Sequence, residues 1–565
     1  MSSKSNNLTS LNVNSRWTSA LYASAATLLL LGCQALVDTS IEQCQVDADC
    51  KAPLSRCTSE KLCTTHCDNN RQCQRFGETH ACINDACVDV TSAECPRVIP
   101  DGVLSDDNAL LFGFITSEDA YGEPVAEGVE LAINEISANG PLPPTSNNDA
   151  NRKLALVMCS HDPTKPDQAL TAARHLESVV KVPAIIGSSY SGVTKSVAEQ
   201  VVSKGVLVVS PSATSPGLSG KEGSQDAGIK LGLMVRRAAP SDALQGELLK
   251  WLVNDVKNAL VTSQTVTELG EVRVAAIVKD DLAGNGLYDA VTALDTERGN
   301  AAAPIVSFDV SRKYKEDTTD WQAIVDDVLA KKPHIVLGLG TGEFVDHAMP
   351  LLEKAANPKP WYVLPEGNRL DGLRELAEKN PDWQLPARVI GTAPGARTSG
   401  RYTTFAGRFE NTFDKAPGNL AEFAYDTVYW LAYGIVLSGD YYPSGERLAA
   451  AMQRVSCKDE SRRVNPERPT EFYGFAASLD KKSCFDFEGV SGPLDFDPVT
   501  GDAQSDIAMW CLRASGEGLS SEPNLNDYYS VERNAVVRCQ DPALDLSIAT
   551  WCPAAKTTAR LEMCE

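Results

Sequence analysis

Two groups of small hydroxyl residues each follow a short apolar run, and together they could bind a small anion. The apolar runs are residues 183–186 and 206–209. The hydroxyl residues that follow them are Ser188, Ser189 and Ser191 in the first group and Ser210, Ser212, Thr214 and Ser215 in the second. Hydroxyls and the free backbone N–H groups at the start of a helix suit a carboxylate. Helix capping is the alternative, but it accounts for one hydroxyl per strand end, so two groups favour a ligand site.

The residues between the two apolar runs predict the element that positions these hydroxyls. Val193, Val197, Val201 and Val202 recur at helical spacing, which predicts a helix between two strands. Ligands of parallel α/β sheets bind outside the carboxyl ends of the strands, which meet at one edge of the sheet. We therefore expect both hydroxyl groups at the same rim.

The alternation of strands and helices continues on both sides of this unit. Before it we predict strands at 109–115 and 154–158 and helices at 125–136 and 166–180. After 235–241 the alternation restarts, with strands at 272–278, 305–310, 334–338, 361–364 and 389–392 and helices at 321–330, 344–355 and 370–377. Helices at 405–413, 421–437 and 446–455 and a last strand near 507–512 follow. This order is typical of an α/β fold with doubly wound parallel sheets, here in two lobes with a cleft between them.

The segment 184–218 also resembles a known family. Its IIG-x-x-x-S before a helix, and its SP-[SA]-AT-x-P-x-L after the next strand, resemble the leucine/isoleucine/valine-binding branch of the type I periplasmic binding proteins. The resemblance extends from about residue 110 to about residue 512. It implies that a multi-crossover hinge joins lobe 1 (109–240, with about 400–500 returning to it) to lobe 2 (241–399, with about 501–515).

The resemblance further implies that an amino acid or related small carboxylate bridges the lobes, without a cofactor. Ser191, Ser212 and Thr214 match the positions that hold the ligand carboxylate, and Glu366 matches the ammonium-binding glutamate. Solvation of Glu366 in a turn, or pairing with Arg369, is the alternative. The predicted ligand-binding residues are Tyr121, Ser191, Ser212, Thr214, Thr341, Glu366 and Phe423. Tyr121 and Phe423 match aromatic pocket positions, although such residues often serve packing alone.

Two positions depart from the family's pattern. Thr341 after Gly340 and Ala283 before Gly284 stand where relatives often carry an aromatic residue. The loss of two aromatic rings argues against a branched aliphatic ligand and permits a larger or more polar side chain. Arg369, or Lys279 with Asp280, would then contribute contacts.

The N-terminus predicts export and lipidation. Lys4 and Arg16 precede an uncharged, largely apolar run at 17–31, which is short for a membrane span and suits a signal peptide. The run ends in Leu-Leu-Gly-Cys33, which resembles a bacterial lipobox, so we predict cleavage after residue 32 and acylation (palmitate) of Cys33. A simple secretory leader is the alternative. Gln34, rather than the aspartate of the inner-membrane retention signal, favours the outer membrane.

The cysteine pattern predicts disulfides. The chain has 17 cysteines, and assigning Cys33 to lipid leaves an even number. Eight of them form two tandem units within residues 33–95: Cys44, Cys50, Cys57, Cys63, Cys67, Cys73, Cys82 and Cys87. Polar residues between them cannot form a core, so disulfides must stabilise this module, and without C-x2-C pairs zinc is disfavoured. Their connectivity is left open, whereas Cys457–Cys484 and Cys95–Cys159 are plausible pairs. A linker (96–108) follows the module, and a C-terminal tail (516–565) carries the last cysteines.

Charge and motifs exclude several classes of function. A net charge of −23 and a pI of about 4.8 argue against nucleic-acid binding. The serines lack a G-x-S-x-G elbow, H-E-x-x-H is absent, and adjacent carboxylates such as Asp280 and Asp281 point apart on a helix. We therefore predict neither an enzyme nor a metal site.

The sequence predicts a membrane-anchored, extracytoplasmic solute-binding lipoprotein that delivers its ligand to an ABC permease. A ligand-sensing receptor module of the same fold, which reports to a membrane partner, is the first alternative. The second is a structural or adhesion lipoprotein in which the cysteine-rich module is the recognising part.

Overall fold

The computed structural model describes most of the chain from Cys44 to Arg538. The described residues are 44–51, 55–57, 59, 61–139, 141–145, 150–219, 234–293, 306–395, 400–456, 462–469, 472–474, 484–497, 500–515, 518–520, 523–531, 533 and 535–538. The predicted signal peptide and the predicted lipidation site Cys33 lie outside these residues, as do Cys457, Cys539, Cys552 and Cys564. Within the described ranges, no helix combines the length and hydropathy that a bilayer-spanning segment needs.

The cysteine-rich module consists of two units with the same disulfide pattern. In each unit the first cysteine pairs with the third and the second with the fourth: Cys44–Cys57, Cys50–Cys63, Cys67–Cys82 and Cys73–Cys87. Each unit also holds one small antiparallel hairpin, β1 (Ser55–Cys57) with β2 (Cys63–Thr65) and β3 (His80–Ile83) with β4 (Ala86–Asp89). The second unit adds a helical turn, α1 (Asn70–Cys73). The prediction of a disulfide module is confirmed.

The second unit packs directly against the main body. The Asn70 side chain donates a hydrogen bond to the carbonyl of Asp106 (3.1 Å), and the backbone N–H of Arg71 donates to the Asp107 carboxylate (2.9 Å). Ala81 is buried in the same apolar cluster as residues of the first sheet. This unit is therefore a fixed part of the body rather than a free stalk.

The first sheet has six strands and forms the first lobe. The strands are β5 (Arg97–Ile99), β6 (Ala109–Ser117), β7 (Lys153–His161), β8 (Ala184–Gly187), β9 (Leu207–Ser210) and β10 (Val235–Arg237), in the order β10-β9-β8-β6-β7-β5. Their helices are α2 (Glu123–Asn139), α3 (Pro166–His175) and α4 (Ser191–Val201). All neighbouring strands are parallel except β5, which pairs antiparallel with β7. The expected linker 96–108 thus contributes an edge strand, and Cys95 is bonded to Cys159 of β7 as predicted.

The second sheet begins with five parallel strands. These are β11 (Val274–Lys279), β12 (Val310–Tyr314), β13 (Ile335–Leu339), β14 (Trp361–Leu364) and β15 (Val389–Pro394). The helices of this lobe are α5 (Asp242–Thr262), α6 (Leu282–Thr292), α7 (Trp321–Leu329), α8 (Met349–Ala355) and α9 (Asp371–Lys379). The sequence analysis made no prediction for α5 and α6. It also placed one strand at 305–310, whereas β12 starts at Val310. Pairing with β11 begins only after Asp309, because the Asp309 carboxylate accepts the Val274 N–H (2.8 Å).

The chain then returns to the first lobe. Helices α10 (Gly400–Phe413), α11 (Ala421–Ser438) and α12 (Gly445–Gln453) follow, and α11 packs between α2 and α12. Nearly every residue of α11 is buried, which explains its apolar surface on all sides. Four short strands complete this part: β16 (Arg463–Val464), β17 (Asp486–Phe487), β18 (Asp495–Phe496) and β19 (Ala503–Gln504).

The last strands extend the second sheet. β20 (Ile507–Cys511) pairs antiparallel with β15, and after the hairpin β21 (Arg513–Ser515) and β22 (Gly518–Ser520) two more strands follow, β23 (Pro523–Ser530) and β24 (Ala535–Arg538). The order of this sheet is β12-β11-β13-β14-β15-β20-β23-β24. Part of the expected C-terminal tail is therefore sheet. Cys484 and Cys511 each take part in a disulfide. The predicted partner of Cys484, Cys457, lies outside the described residues.

A buried ion pair joins two of the segments that cross between the lobes. The Arg237 Nε, at the end of β10, lies 2.6 Å from the carboxylate of Asp502, which precedes β19, and the Arg237 side chain is almost fully buried. Asp502 also accepts a hydrogen bond from the Ser219 hydroxyl (2.7 Å). These contacts hold the two crossings together at this point.

The Cys95–Cys159 disulfide should stabilise the first lobe. It closes a loop of 64 residues, and the chain-entropy account gives about 4 kcal/mol for a loop of that size. We expect the Cys95→Ala/Cys159→Ala double variant to lose about 2–4 kcal/mol of unfolding free energy, measured by urea denaturation.

The matched control is Cys44→Ala/Cys57→Ala, which removes a disulfide from the first unit of the module. This control should leave the denaturation midpoint of the lobes unchanged. Equal destabilisation by both double variants would contradict the expectation, because it would mean that the module and the lobes unfold as one unit.

Candidate functional site

A cavity lies between the two sheets, at the carboxyl ends of their strands. It comprises about 430 Å³ of space between the lobes, part of which is open to solvent, and both lobes contribute to its walls. From the first lobe it is lined by Tyr121, Ser189, Tyr190, Ser191 and Thr214. From the second lobe and the crossing into it, it is lined by Asp242, Lys279, Asp281, Ala283, Gly284, Leu287, Gly340, Thr341, Pro365, Glu366 and Gly367.

The first-lobe wall supplies hydrogen-bond donors. Ser191 is the first residue of α4, and its hydroxyl accepts the backbone N–H of Ser215 (3.2 Å), so its own proton can be donated to the cavity. The first N–H groups of α4 lack partners within the helix and carry the positive end of its dipole. The wall therefore suits a carboxylate, as the hydroxyl pattern in the sequence predicts.

The other hydroxyl residues have different environments. Thr214 lines the cavity and donates its hydroxyl proton to the Asp242 carboxylate (2.9 Å). Ser212 is buried behind the wall, where its hydroxyl donates to the carbonyl of Ser189 (3.1 Å). Ser212 thus supports the strand end that carries the lining residues.

Two stacked tyrosines form part of the same wall. The rings of Tyr121 and Tyr190 lie 5.3 Å apart with an interplanar angle of 21°. The Tyr121 hydroxyl donates to the carbonyl of Ser212 (3.3 Å), and the Tyr190 hydroxyl donates to Asp119 (2.7 Å). Tyr121 belongs to the predicted site. Tyr190 does not, although its position directly before Ser191 was the available signal.

Two buried carboxylates face this wall. Glu366 is 6 % exposed, Asp242 is 3 % exposed, and both line the cavity. Burial raises the pKa of Glu366, while the hydrogen bond from Gln245 (2.5 Å) and the charge of Arg369 oppose this rise. Burial, and then the charge of Glu366, raise the pKa of Asp242 well above its usual value. Each carboxylate therefore makes ionisation of the other more costly.

A third carboxylate belongs to the start of α6. Asp281 caps this helix by accepting the backbone N–H of Gly284 (2.7 Å), and burial raises its pKa. Neither Asp242 nor Asp281 was predicted as a site residue. Each stands at a helix start, and the sequence signal for Asp242 is the preceding Ser241, which caps α5.

Lys279 and Thr341 form a polar cluster at the second-lobe side. The ammonium of Lys279 contacts the Thr341 hydroxyl (2.9 Å), Glu343 (2.5 Å) and Glu316. Burial and the charge of Glu343 raise the pKa of Glu316 to about 7. Two carboxylates therefore neutralise Lys279, which also lies over the Tyr190 ring at 5.3 Å.

The structure brings most of the predicted site residues together. Tyr121, Ser191, Thr214, Thr341 and Glu366 line one cavity, and Ser212 lies directly behind it. Phe423 is 0 % exposed in the core of the first lobe and is not a lining residue. Its position on α11, a helix buried on nearly all sides, explains this placement.

Comparison with known proteins identifies the fold. The model of the family described as "Periplasmic binding protein" matches residues 114–509, whereas no curated protein sequence matches significantly. A solved leucine-binding protein from Thermotoga maritima MSB8 is 18 % identical, with a TM-score of 0.51 over 73 % of this chain and 97 % of that one. A periplasmic binding protein type 1 from Bordetella pertussis Tohama I is 17 % identical, with a TM-score of 0.55 over 74 % and 100 %.

A third similar structure has a different kind of ligand. It is a solute-binding protein of an ABC transporter from Rhodopseudomonas palustris BisB5 in complex with 3,4-dihydroxybenzoic acid, 15 % identical, with a TM-score of 0.52 over 74 % of this chain and 96 % of that one. At these identities the likeness concerns the fold, and it confirms the predicted two-lobed α/β architecture. Because the family match spans most of the chain, this protein belongs to the periplasmic binding protein family.

Proposed function

We propose that this protein is an exported, lipid-anchored solute-binding protein that binds an amino acid between its lobes and delivers it to an ABC permease. The observation that carries the proposal is the opposition of two walls across one cavity. Ser191 and the start of α4 offer donors for a carboxylate, and the buried carboxylates of Asp242 and Glu366 offer acceptors for an ammonium group. A zwitterion satisfies both walls at once.

The charge of the cavity favours an amino acid over an aromatic acid. A benzoate brings a carboxylate and no cation, so it would add a negative charge near Asp242, Asp281 and Glu366. Like charges at short range in a water-poor site repel strongly. An amino acid instead supplies an ammonium group that compensates these carboxylates.

The proposed location is supported by the cysteines. Disulfides persist in oxidising compartments outside the cytoplasm, and the described residues hold five of them with both partners assigned. Acylation at Cys33 would anchor the chain to the membrane, with the outer membrane favoured by Gln34. The family's fold serves solute binding, and we assign no catalytic step to the cleft.

The lobes also touch beside the cavity, which supports binding by closure. The Ser215 hydroxyl of the first lobe donates to the carbonyl of Leu282 at the start of α6 (2.7 Å). A Cβ added at Gly286 of α6 would lie 2.8 Å from Pro216 Cδ and 2.9 Å from the Ser215 hydroxyl. The lobes can therefore approach this closely only because residue 286 is a glycine and has no side chain. A ligand that contacts both walls favours this closed arrangement.

Glu366 should be required for amino-acid binding. We expect at least one of the twenty L-amino acids to raise the melting temperature of the full-length protein, since a ligand at 100 times its Kd adds about 2.7 kcal/mol. Glu366→Gln should weaken the affinity for that amino acid roughly 10- to 100-fold, because it removes a charge-assisted hydrogen bond. Calorimetry measures this affinity. The control Glu375→Gln, which alters an exposed glutamate of α9, should bind normally. Stabilisation by 3,4-dihydroxybenzoate but by no amino acid would contradict the proposal.

Affinity should fall as the pH is lowered. A carboxyl with a raised pKa takes up a proton as the pH falls through that raised value, here above the usual range for both Asp242 and Glu366. The neutral forms no longer attract an ammonium group, while the ligand keeps its charges between about pH 7 and about pH 5. Calorimetry over this range should show an affinity that falls towards the lower end, and proton release on binding. Affinity that is independent of pH, without proton release, would show that neither carboxylate contacts the ligand.

Gly286→Val should weaken binding by holding the lobes apart. The added side chain would collide with Pro216 and Ser215 in the closed arrangement. Gly407→Val is the matched control, because it places the same side chain in helix α10, where a Cβ meets nothing within 4 Å. We expect calorimetry to show a lower affinity for the first variant alone. Equal affinities would mean that ligand binding does not require this approach of the lobes.

A further inference from the structure

We propose that the ligand is a cationic amino acid, whose α-ammonium group contacts Glu366 and Asp242 and whose side chain carries a second positive charge to Asp281. This inference rests on the proposed function and adds the class of ligand. It is based on the positions of the three carboxylates around one cavity and on the ion pairs that engage the nearby cations Lys279 and Arg237 with other carboxylates.

The nearby cations are already engaged with other carboxylates. Lys279 contacts Glu316 and Glu343, and Arg237 pairs with Asp502. The charge of Arg369 lowers the pKa of Glu366, but its effect is smaller than the effects of burial and of the hydrogen bond from Gln245. The cavity therefore keeps an excess of negative charge when its carboxylates are ionised.

An unpartnered acceptor indicates where the α-ammonium binds. Gln245 is 1 % exposed, and its amide nitrogen donates to Glu366 (2.5 Å) and to the carbonyl of Thr392 (3.3 Å). Its amide oxygen has no hydrogen-bond donor within the described structure. A buried acceptor without a donor is costly. An ammonium group has three N–H donors, and the carboxylates that can accept them on the cavity wall are Asp242 and Glu366, the second of which is bonded to Gln245.

Because the α-ammonium contacts Glu366 and Asp242, it does not contact Asp281. Asp281 lines the cavity beside Ala283 and Leu287 at the start of α6. The small side chain of Ala283 takes up little of the space beside Asp281. The stacked rings of Tyr121 and Tyr190 complete the wall, and aromatic faces also attract cations. A lysine or arginine side chain would add a positive charge beside Asp281, whereas a glutamate side chain would add repulsion. An aliphatic side chain would leave Asp281 with the charge of Lys279, which already contacts two other carboxylates.

The test compares side chains that differ in charge. Calorimetry on the full-length protein would use L-lysine, L-arginine, L-norleucine, which has an uncharged chain of similar length, and L-glutamate. We expect L-lysine or L-arginine to bind roughly 10- to 100-fold more tightly than L-norleucine, the range for a hydrogen bond to a charged group. L-glutamate should bind most weakly.

Asp281→Asn tests the residue itself. Asparagine also caps helices well, so α6 should remain folded, which the melting temperature of the unliganded variant checks. The variant should lose roughly 10- to 100-fold in affinity for the cationic amino acid and stay within about twofold for L-norleucine. The matched control is Asp289→Asn, which alters an exposed aspartate of the same helix and should change neither affinity.

The outcomes separate this inference from the proposed function. If L-norleucine binds as tightly as both cationic amino acids, or if Asp281→Asn leaves their affinity unchanged, the inference is wrong while amino-acid binding stands. If none of the twenty L-amino acids binds, both are wrong.

Discussion

The burial of carboxylates between the two lobes is the constraint on which the cleft depends. Asp242 and Glu366 are almost fully buried, and each disfavours the ionised form of the other. A buried charge without compensation costs several kcal/mol. In the closed arrangement without ligand, these carboxylates are therefore either ionised at that cost in free energy or protonated. A ligand cation removes that penalty only when the lobes are closed. The same electrostatics that make the cleft unfavourable when empty therefore couple ligand binding to closure.

The helices and strands around the cleft place these carboxylates where the two lobes meet. Asp242 begins α5, the first helix after the chain leaves the first lobe, and its backbone N–H donates to the Thr214 carbonyl of that lobe (2.8 Å). Glu366 follows β14, and the Asn419 side chain, just before α11, donates to its carbonyl (2.7 Å). Both acidic residues are thus tied by hydrogen bonds to elements of the first lobe. Polar contacts of this kind break and re-form at modest net free energy, which suits an interface that opens and closes.

The family's fold accounts for the lobes but not for the additions at either end. At the N-terminal end, the second cysteine unit packs on the first sheet, and β5 adds an antiparallel edge strand to it. At the C-terminal end, β23 and β24 widen the second sheet beyond β20. These additions lie at the sheet edges, and none of their residues lines the cavity. Edge strands otherwise expose unpaired backbone groups, so both additions also cover an edge.

The sequence by itself determined most of the strands and helices of the two lobes, because hydrophobic periodicity is a local property of the chain. It also determined the rim that carries Ser191 and Thr214, and the existence of disulfides in the cysteine-rich module. Helix α5 was missed, because its buried positions extend around much of the helix and leave no single apolar stripe.

Only the tertiary structure decided which carboxylates meet. Asp242, Asp281 and Glu366 belong to three different elements, and nothing in their local sequence shows that they face one cavity. The same limit applies to Phe423, which the buried helix α11 places in the core, and to the pairing of cysteines within each unit. Side-chain proximity across a cleft depends on how lobes pack, and packing is set by contacts between residues far apart in the chain.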